Sequence, residues 1–298
     1  MNRTAKGIVA IIASAFGFAL MGFFVRLCDN YGQAVSPFQK SFFRNIVAFA
    51  LAAAVLFRKW TAHRVTGESI NFADSLDKAA LGKLLLRCIF GTAGIFANFY
   101  ALSHIPVGEA MCLNKTAPFW TVLFSYLFLC EKMTFPRAVM LGVAFIGAAL
   151  VARPGYRELG SFAAAMGLVG GICAGAAYAC VRSLGKSGVD SAFIVFSFSA
   201  FSTVASLPFM CGEAYTPMSA AQLAILILAG ASAAIGQFGV TLAYSYAPSS
   251  KIAVYDYTNV IFASALGWMF LGQTPDLLAA AGFAMILAAA IVPNAAKW

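Results

Sequence analysis

Two residues of opposite charge, Lys115 and Asp256, lie inside long apolar stretches of this sequence. A charged side chain at the centre of a membrane-spanning helix costs about 2.5–3.5 kcal/mol, so a protein keeps one there only when it pairs or faces water. Shifting the sequence by 142 residues places Asn114-Lys115-Thr116 over Asp256-Tyr257-Thr258. The two motifs predict either a fixed ion pair that locks two parts of the chain together or a shared site that binds a charged ligand or a proton.

Further polar and aromatic side chains are predicted to surround these two charges. Asn114 and Tyr257 belong to the motifs themselves. Arg44 needs a carboxylate, a cluster of carbonyls or an anionic ligand, because it cannot readily lose its proton. The other residues predicted to line the site are Phe119, Trp120, Tyr255 and Asn98. Glu109 and His104, near the preceding turn, are predicted to form a gate or to carry protons.

Other kinds of chemistry lack the residues that they need. The seven cysteines form no CxxC pair and there are only two histidines, so we predict neither a metal site nor another cofactor. The sequence contains no HExxH, GxSxG or P-loop motif, so we do not expect an enzyme. Lys115 with Asp256 as its counter-ion could form a retinal Schiff base, which leaves a light-sensing membrane protein as an alternative.

The elements that hold these residues follow from the composition. Of the 298 residues, 61% are hydrophobic and 10% are charged, and the mean hydropathy is +0.84. Soluble domains carry about 25% charged residues, so this chain has too little polar surface for a water-soluble globule and is predicted to cross a membrane several times. The net charge of +9 is spread over the edges of apolar runs rather than gathered in a basic patch, which excludes a nucleic-acid partner.

Ten apolar stretches are long enough to cross a bilayer core of about 30 Å as helices. They cover residues 7–28, 37–57, 83–104, 107–129, 135–152, 162–182, 191–211, 221–246, 251–271 and 276–294. The predicted fold is therefore an all-α membrane protein with ten transmembrane helices. Thirteen Lys and Arg residues flank these spans on the side of the N-terminus and four on the other side, which predicts cytoplasmic N- and C-termini.

The second half of the sequence weakly repeats the first. The same shift of 142 residues aligns Pro106 with Pro248. Two repeats, 1–156 and 157–298, would then hold five spans each, and an odd number of spans inserts the second repeat upside down. Inverted-topology repeats are typical of secondary transporters, whose substrate sites lie near the membrane midplane between the repeats. The alternative is a chance likeness between two apolar sequences.

Several segments resemble the EamA-type transporters of the drug/metabolite transporter superfamily. The segments that carry this resemblance are Ser36-Pro37-Phe38 through Arg44, Ala101 through Pro106, Pro118 through Glu131-Lys132, and Ala243 through Pro248. The family usually has a Tyr-Thr pair before the proline of the fourth span, where this chain has Lys115-Thr116; Tyr257-Thr258 keeps the pair in the second half. The resemblance implies ten helices in two inverted repeats and alternating access, often coupled to protons or to exchange.

These observations predict a secondary transporter in a bacterial inner membrane that moves a small amphipathic or charged metabolite, such as an amino acid or a carboxylate. A passive channel or facilitator is the main alternative. The predicted partners are the substrate and the lipid bilayer, with the chain as a monomer or a homodimer. Small residues at four-residue spacing, Gly167-Gly171-Gly175 and Ser232-Gly236, favour close helix packing over a dimer seam.

Overall fold

The computed structural model describes residues 2–33, 35–66, 77–104, 111, 113–152, 162–210, 215–272 and 276–295. Within these residues all regular secondary structure is helical, which confirms the predicted all-α class. The α-helices are α1 (Arg3–Cys28), α2 (Pro37–Thr66), α3 (Lys78–His104), α4 (Ala117–Leu129), α5 (Phe135–Ala152), α6 (Phe162–Lys186), α7 (Ser191–Ser206), α8 (Ala220–Tyr246), α9 (Ser249–Ile252), α10 (Thr258–Leu271) and α11 (Leu277–Ala295). Short 3₁₀ segments cover Asp29–Tyr31, Leu207–Met210 and Ala253–Tyr257.

Six of the described helices are long and apolar enough to span a membrane, and three more are apolar but shorter. The six candidate spans are Arg3–Tyr31, Phe38–Ala62, Lys78–Ala101, Phe162–Lys186, Ser191–Phe209 and Ala220–Tyr246. The shorter helices are Ala117–Leu129, Phe135–Val151 and Leu277–Val292. Many large apolar side chains of these helices are exposed, among them Phe128, Leu277 and Ile291. Exposed apolar side chains in this number suit contact with lipid.

Side-chain caps define where two of the long helices begin. Asp190 accepts the backbone N–H groups of Ala192 and Phe193 at the start of α7. Ser219 and Gln222 form a capping box at the start of α8, in which each side chain binds the backbone N–H of the other residue. These contacts satisfy N–H groups that have no partner within the first turn of a helix.

The fourth predicted span is not a continuous helix. The chain makes a turn at Lys115–Thr116, and α4 begins only after it. Pro118 explains this break, because a proline lacks the N–H of an α-helical bond and its ring clashes with the carbonyl four residues earlier. The interruption lies directly before the helix that carries Pro118, where the sequence of the fourth span permits a kink.

The ninth predicted span, 251–271, is also broken, although no proline lies in it. The short helix α9 gives way to the 3₁₀ segment Ala253–Tyr257 before α10 begins. The Thr258 hydroxyl donates to the carbonyl of Tyr255 at 2.7 Å and competes there with backbone N–H groups. Pro118 has no counterpart in the second half, where Val260 stands at the equivalent position, yet the structure contains a break in each half.

Most of the helix packing joins the first half of the chain to the second half. Helix α1 lies along α8, and α3 lies along α6. Helix α2 packs on α7, and α5 packs on α11. Helix α4 contacts α6, while α10 contacts α1. The core therefore lies between the two halves of the chain rather than within either one.

Glycines allow some of these helices to approach closely. A Cβ added at Gly147 would lie 2.7 Å from the carbonyl oxygen of Gly282, where α5 crosses α11. Gly175 in α6 is buried against the backbone of Trp120 and Thr121 in α4. The predicted packing role of the small residues in α6 is thus confirmed, and it operates inside one chain.

Replacing Gly175 with alanine should destabilise the protein, because a Cβ at this position would lie 2.8 Å from the backbone nitrogen of Thr121. Overpacking a core costs about 1–3 kcal/mol, which we expect to see as a lower melting temperature in detergent. Gly142→Ala is the matched control, since a Cβ there meets no atom within 4 Å and alanine favours a helix. Equal melting temperatures for the two variants would contradict this account of the packing.

Candidate functional site

The two helix breaks bring Lys115 and Asp256 together. Lys115 lies in the turn before α4, and Asp256 lies in the 3₁₀ segment before α10. The Nζ of Lys115 is 3.5 Å from a carboxylate oxygen of Asp256, and the two side chains are 15% and 16% exposed. Strong charge-assisted hydrogen bonds are shorter, about 2.7–2.9 Å. The pair is therefore largely buried but not tightly closed, which suits groups that can release each other for a ligand.

The two breaks are built in the same way. The Thr116 hydroxyl donates to the carbonyl of Leu113 at 2.6 Å. The Thr258 hydroxyl donates to the carbonyl of Tyr255 at 2.7 Å. In each break a threonine side chain thus satisfies a carbonyl three residues earlier, where the regular helical ladder is interrupted.

Tyr257 joins the second break to the first. Its side chain is fully buried, and its hydroxyl donates to the carbonyl of Lys115 at 2.9 Å. Asn114 is half-buried in the first break, where its backbone oxygen lies beside Gly171. The structure thus brings together four of the predicted site residues, the ion pair with Asn114 and Tyr257.

Two arginines lie inside spans without a carboxylate partner among the described residues. Arg44 in α2 is half-buried, with its guanidinium carbon 5.8 Å from the centre of the Phe18 ring. Arg87 in α3 is 2% exposed, with its guanidinium carbon 4.0 Å from the centre of the Phe198 ring. Arg87 is absent from the predicted site, although its place inside an apolar run is the same signal that singles out Arg44.

Tyr178 in α6 connects these arginines to the ion pair. Its phenol lies within electrostatic range of Arg44, Arg87 and Asp256. Its ring stacks on that of Tyr244 in α8, with the ring centres 5.3 Å apart. The arginines and the ion pair therefore belong to one charged region, with two tyrosine rings beside it.

The aromatic residues of the predicted site have packed surroundings. Phe119 packs edge-to-face on Phe145, with ring centres 5.3 Å apart. The Tyr255 hydroxyl donates to the carbonyl of Ala290 at 2.9 Å and anchors the second break to α11. The indole nitrogen of Trp120 is buried and has no hydrogen-bond partner within the described part of the chain. Of these three, only Trp120 keeps an unused polar group that a ligand could bind.

The remaining predicted residues lie in α3 or beyond its end. The side-chain oxygen of Asn98 is buried and finds no hydrogen-bond partner in the described ranges. His104 is exposed, its Nδ1 donates to the carbonyl of Tyr100 at 2.8 Å, and its ring stacks on the Tyr100 ring. Glu109 lies outside the described residues. Asn98 thus offers a free acceptor, while the only contacts seen for His104 are local ones.

A second buried ion pair holds one end of the bundle together. The Nε of Arg182 donates to the Glu131 carboxylate at 2.5 Å, and the two side chains are 10% and 7% exposed. The other oxygen of that carboxylate accepts the backbone N–H of Ser249 at 2.9 Å. The Nζ of Lys186 lies 3.5 Å from the carboxylate. Glu131 from the first half thus binds both α6 and α9 of the second half.

Sequence reasoning missed the role of this pair. In the sequence, Glu131 stands out only as part of the family-like motif Glu131-Lys132. Arg182 stands out only as one of the basic residues that end a predicted span. Neither residue lies deep inside an apolar run. The criterion that identifies a charge within a membrane, a charged residue surrounded by apolar ones, therefore does not identify them. A charge at the edge of a span has water as its default partner, and only the packed structure shows that both are buried.

The groups around the Lys115–Asp256 pair are of the kinds that bind charged ligands. They are an ammonium, a carboxylate, two guanidinium groups and phenol rings. Among the described residues, no group of three or more His, Cys, Asp and Glu side chains could hold a metal ion. Such a set can bind a small charged molecule from several sides.

The sequence matches the model of the EamA-like transporter family over residues 5–153 and again over residues 161–294. The chain belongs to the EamA-like transporter family. The resemblance inferred from the motifs is thereby confirmed, and membership of a family of membrane transporters excludes an enzyme. It also argues against the light-sensing alternative.

The relatives of this EamA-family chain include transporters that are named for two different cargoes. The pseudopaline exporter CntI of Pseudomonas aeruginosa is 28% identical over 299 residues, which cover 100% of this chain and 99% of the relative. A riboflavin transporter of Brucella anthropi is 25% identical over 256 residues, which cover 84% of this chain and 85% of the relative. Solute carrier family 35 member G1 of Mus musculus is 23% identical over 314 residues, which cover 98% of this chain and 79% of the relative.

A solved crystal structure shares the architecture of this EamA-family chain. The TM-score is 0.72 at 15% sequence identity, and the match covers 95% of this chain and 97% of the other. At that identity the likeness shows the fold alone. Family membership and the apolar helices together make the chain an integral membrane protein, and its bacterial relatives point to a bacterial membrane.

Proposed function

We propose that this EamA-family chain is a secondary transporter that moves a small amphipathic or charged metabolite, such as an amino acid or a carboxylate, by alternating access. The observation that carries the proposal is the ion pair between Lys115 and Asp256, which joins two helix breaks of the same construction. Transporters bind their substrates at such broken helices, where irregular backbone is tolerated because it lines a cavity.

The proposal includes ten transmembrane helices in two inverted repeats, 1–156 and 157–298. The two separate matches to the family model, which meet near this boundary, support it. The helix contacts support it as well, because exchanging the repeats turns one contact into another: α1 with α8 becomes α6 with α3, and α4 with α6 becomes α10 with α1. Two equivalent repeats around one site can rock between an outward and an inward arrangement.

We assign both termini to the cytoplasm of a bacterium, because thirteen Lys and Arg residues flank the spans on that side against four on the other. The Glu131–Arg182 pair then lies at the cytoplasmic end, where it forms a gate that must open to release cargo inward. His104 then lies at the opposite end, and we assign His104 and, from the sequence alone, Glu109 to the outer gate or to proton transfer. The working unit is a monomer or a homodimer in the inner membrane.

In this mechanism the ion pair between Lys115 and Asp256 opens when cargo binds. Each side chain then pairs with one end of the cargo instead of with the other side chain. Lys115 binds an anionic group and Asp256 binds an amine, so each buried charge stays compensated, as charges inside a membrane require. Without cargo the two side chains compensate each other, which lets the empty carrier change its orientation. Proton coupling or exchange of one substrate for another then sets the direction of transport.

Counterflow in proteoliposomes tests the proposal. Amino acids, carboxylates and amines are first screened by melting temperature in detergent, since a bound ligand stabilises the folded state. Liposomes loaded with an excess of an unlabelled hit should then take up the labelled hit transiently above its equilibrium level. Liposomes without protein are the control. A flux that only follows the gradient, with no overshoot, would identify a passive channel and overturn alternating access.

A further inference from the structure

Arg87 is a deeply buried cation without a counter-ion among the described residues. It is 2% exposed, and its Nε is buried without a hydrogen-bond partner there. Its guanidinium carbon lies 4.0 Å from the centre of the Phe198 ring. The group folds over Gly91, where an added Cβ would overlap its terminal nitrogen. A cation–π contact offsets only part of the cost of a guanidinium inside a membrane, so Arg87 still requires an anion.

The charges around Arg87 do not balance within the described part of the chain. Arg87, Arg44 and Asp256 all lie within electrostatic range of Tyr178. Asp256 is already paired with Lys115 at 3.5 Å. Among the described residues, Arg44 and Arg87 therefore have no carboxylate of their own in this region, since Asp256 is the partner of Lys115. Because a guanidinium does not lose its proton in proteins, a further anionic group has to meet the surplus.

We propose that Arg44 and Arg87 form an oxyanion-binding subsite beside the Lys115–Asp256 pair, so that the cargo carries more anionic than cationic groups. This inference rests on the proposed function and narrows its substrate class. A guanidinium binds a carboxylate or a phosphate through two parallel hydrogen bonds. Lys115 takes a further anionic group of the same molecule, and Asp256 takes its amine. The substrate class is then an amino acid with additional carboxylates or a phosphorylated amine.

Melting temperatures in detergent, measured at constant ionic strength, test this charge preference. The probes are citrate, inorganic phosphate, chloride and putrescine. Citrate or phosphate should raise the melting temperature by about 3–5 °C at one hundred times its dissociation constant, and chloride and putrescine by less than about 1 °C. A response to citrate alone supports the subsite for carboxylates, and a response to phosphate alone supports it for phosphoryl groups.

Three variants connect that response to Arg87. Arg87→Met should melt at the wild-type temperature or above, because it removes an uncompensated buried charge, and it should lose the response to the anion. Arg87→Lys keeps the positive charge but lacks the planar guanidinium, so it should lose most of the response to the anion. This variant tests the subsite even if Arg87→Met does not fold. Arg3→Met, on the exposed first turn of α1, is the control and should keep the full response.

Several results would overturn the subsite. If Arg87→Met melts at a lower temperature and keeps the response, Arg87 is a structural partner of Phe198. If the wild type responds equally to chloride, or does not respond to citrate or phosphate, the counter-ion is a halide or an internal carboxylate such as Glu109. Counterflow is measured separately, so a protein that exchanges only a neutral or cationic substrate refutes the anion preference and leaves the transporter proposal standing.

Discussion

Replacing both members of the central pair, Lys115→Met together with Asp256→Asn, is expected to give a folded protein that transports at least about 100-fold more slowly. Removing both charges also removes the cost of burying them, and such exchanges are often neutral or stabilising. Transport should fail because the site loses the two groups that bind charged cargo, and each hydrogen bond to a charged group contributes about 1.5–3 kcal/mol. Melting temperature and proteoliposome transport measure the two effects separately.

The double variant is more informative than either single change. Lys115→Met alone leaves Asp256 buried without its partner, which typically costs about 3–5 kcal/mol and confuses a loss of folding with a loss of transport. The matched control is Asp29→Asn with Lys40→Met, which removes an ion pair of 2.8 Å whose side chains are 37% and 11% exposed. Normal transport by the central double variant would contradict substrate binding and favour a fixed lock between the halves.

Glu131→Gln is expected to lower the free energy of unfolding by about 3–5 kcal/mol, because it leaves a buried guanidinium without its carboxylate. Arg182 is 10% exposed and has Glu131 as its carboxylate partner at 2.5 Å. Glutamine keeps the shape of the side chain, so the loss reports the missing charge rather than a cavity. Denaturation in detergent micelles measures this effect.

A double-mutant cycle with Arg182→Gln separates the pair from its surroundings. The two changes together should cost less than the sum of the single changes, because neither charge is then left alone. Lys59→Gln is the control, since the Lys59–Asp190 pair has the same length of 2.5 Å but is 41% and 31% exposed. Exposed pairs contribute about 0–1 kcal/mol. An effect of Glu131→Gln no larger than this control would show that burial adds nothing to the Glu131–Arg182 contact.

The candidate site could be predicted in part because a charge inside an apolar run is a local signal. That signal singles out Lys115, Asp256 and Arg44 without knowledge of the fold. It does not distinguish a direct ion pair from two charges on one cavity, and the structure shows a pair of 3.5 Å. The partners Glu131 and Arg182 lie at span edges, where an exposed and a buried charge have the same sequence pattern.

The sequence by itself determined the membrane class, the helical elements, the family and the presence of charges inside the spans, since hydropathy and short motifs are properties of neighbouring residues. Only the tertiary structure decided the second helix break, the contact of Tyr257 with the carbonyl of Lys115 across 142 residues, and the lack of a described carboxylate beside Arg87. These features depend on which helix faces meet. Helix faces meet through packing of whole surfaces, and no local pattern encodes the partner of a given side chain.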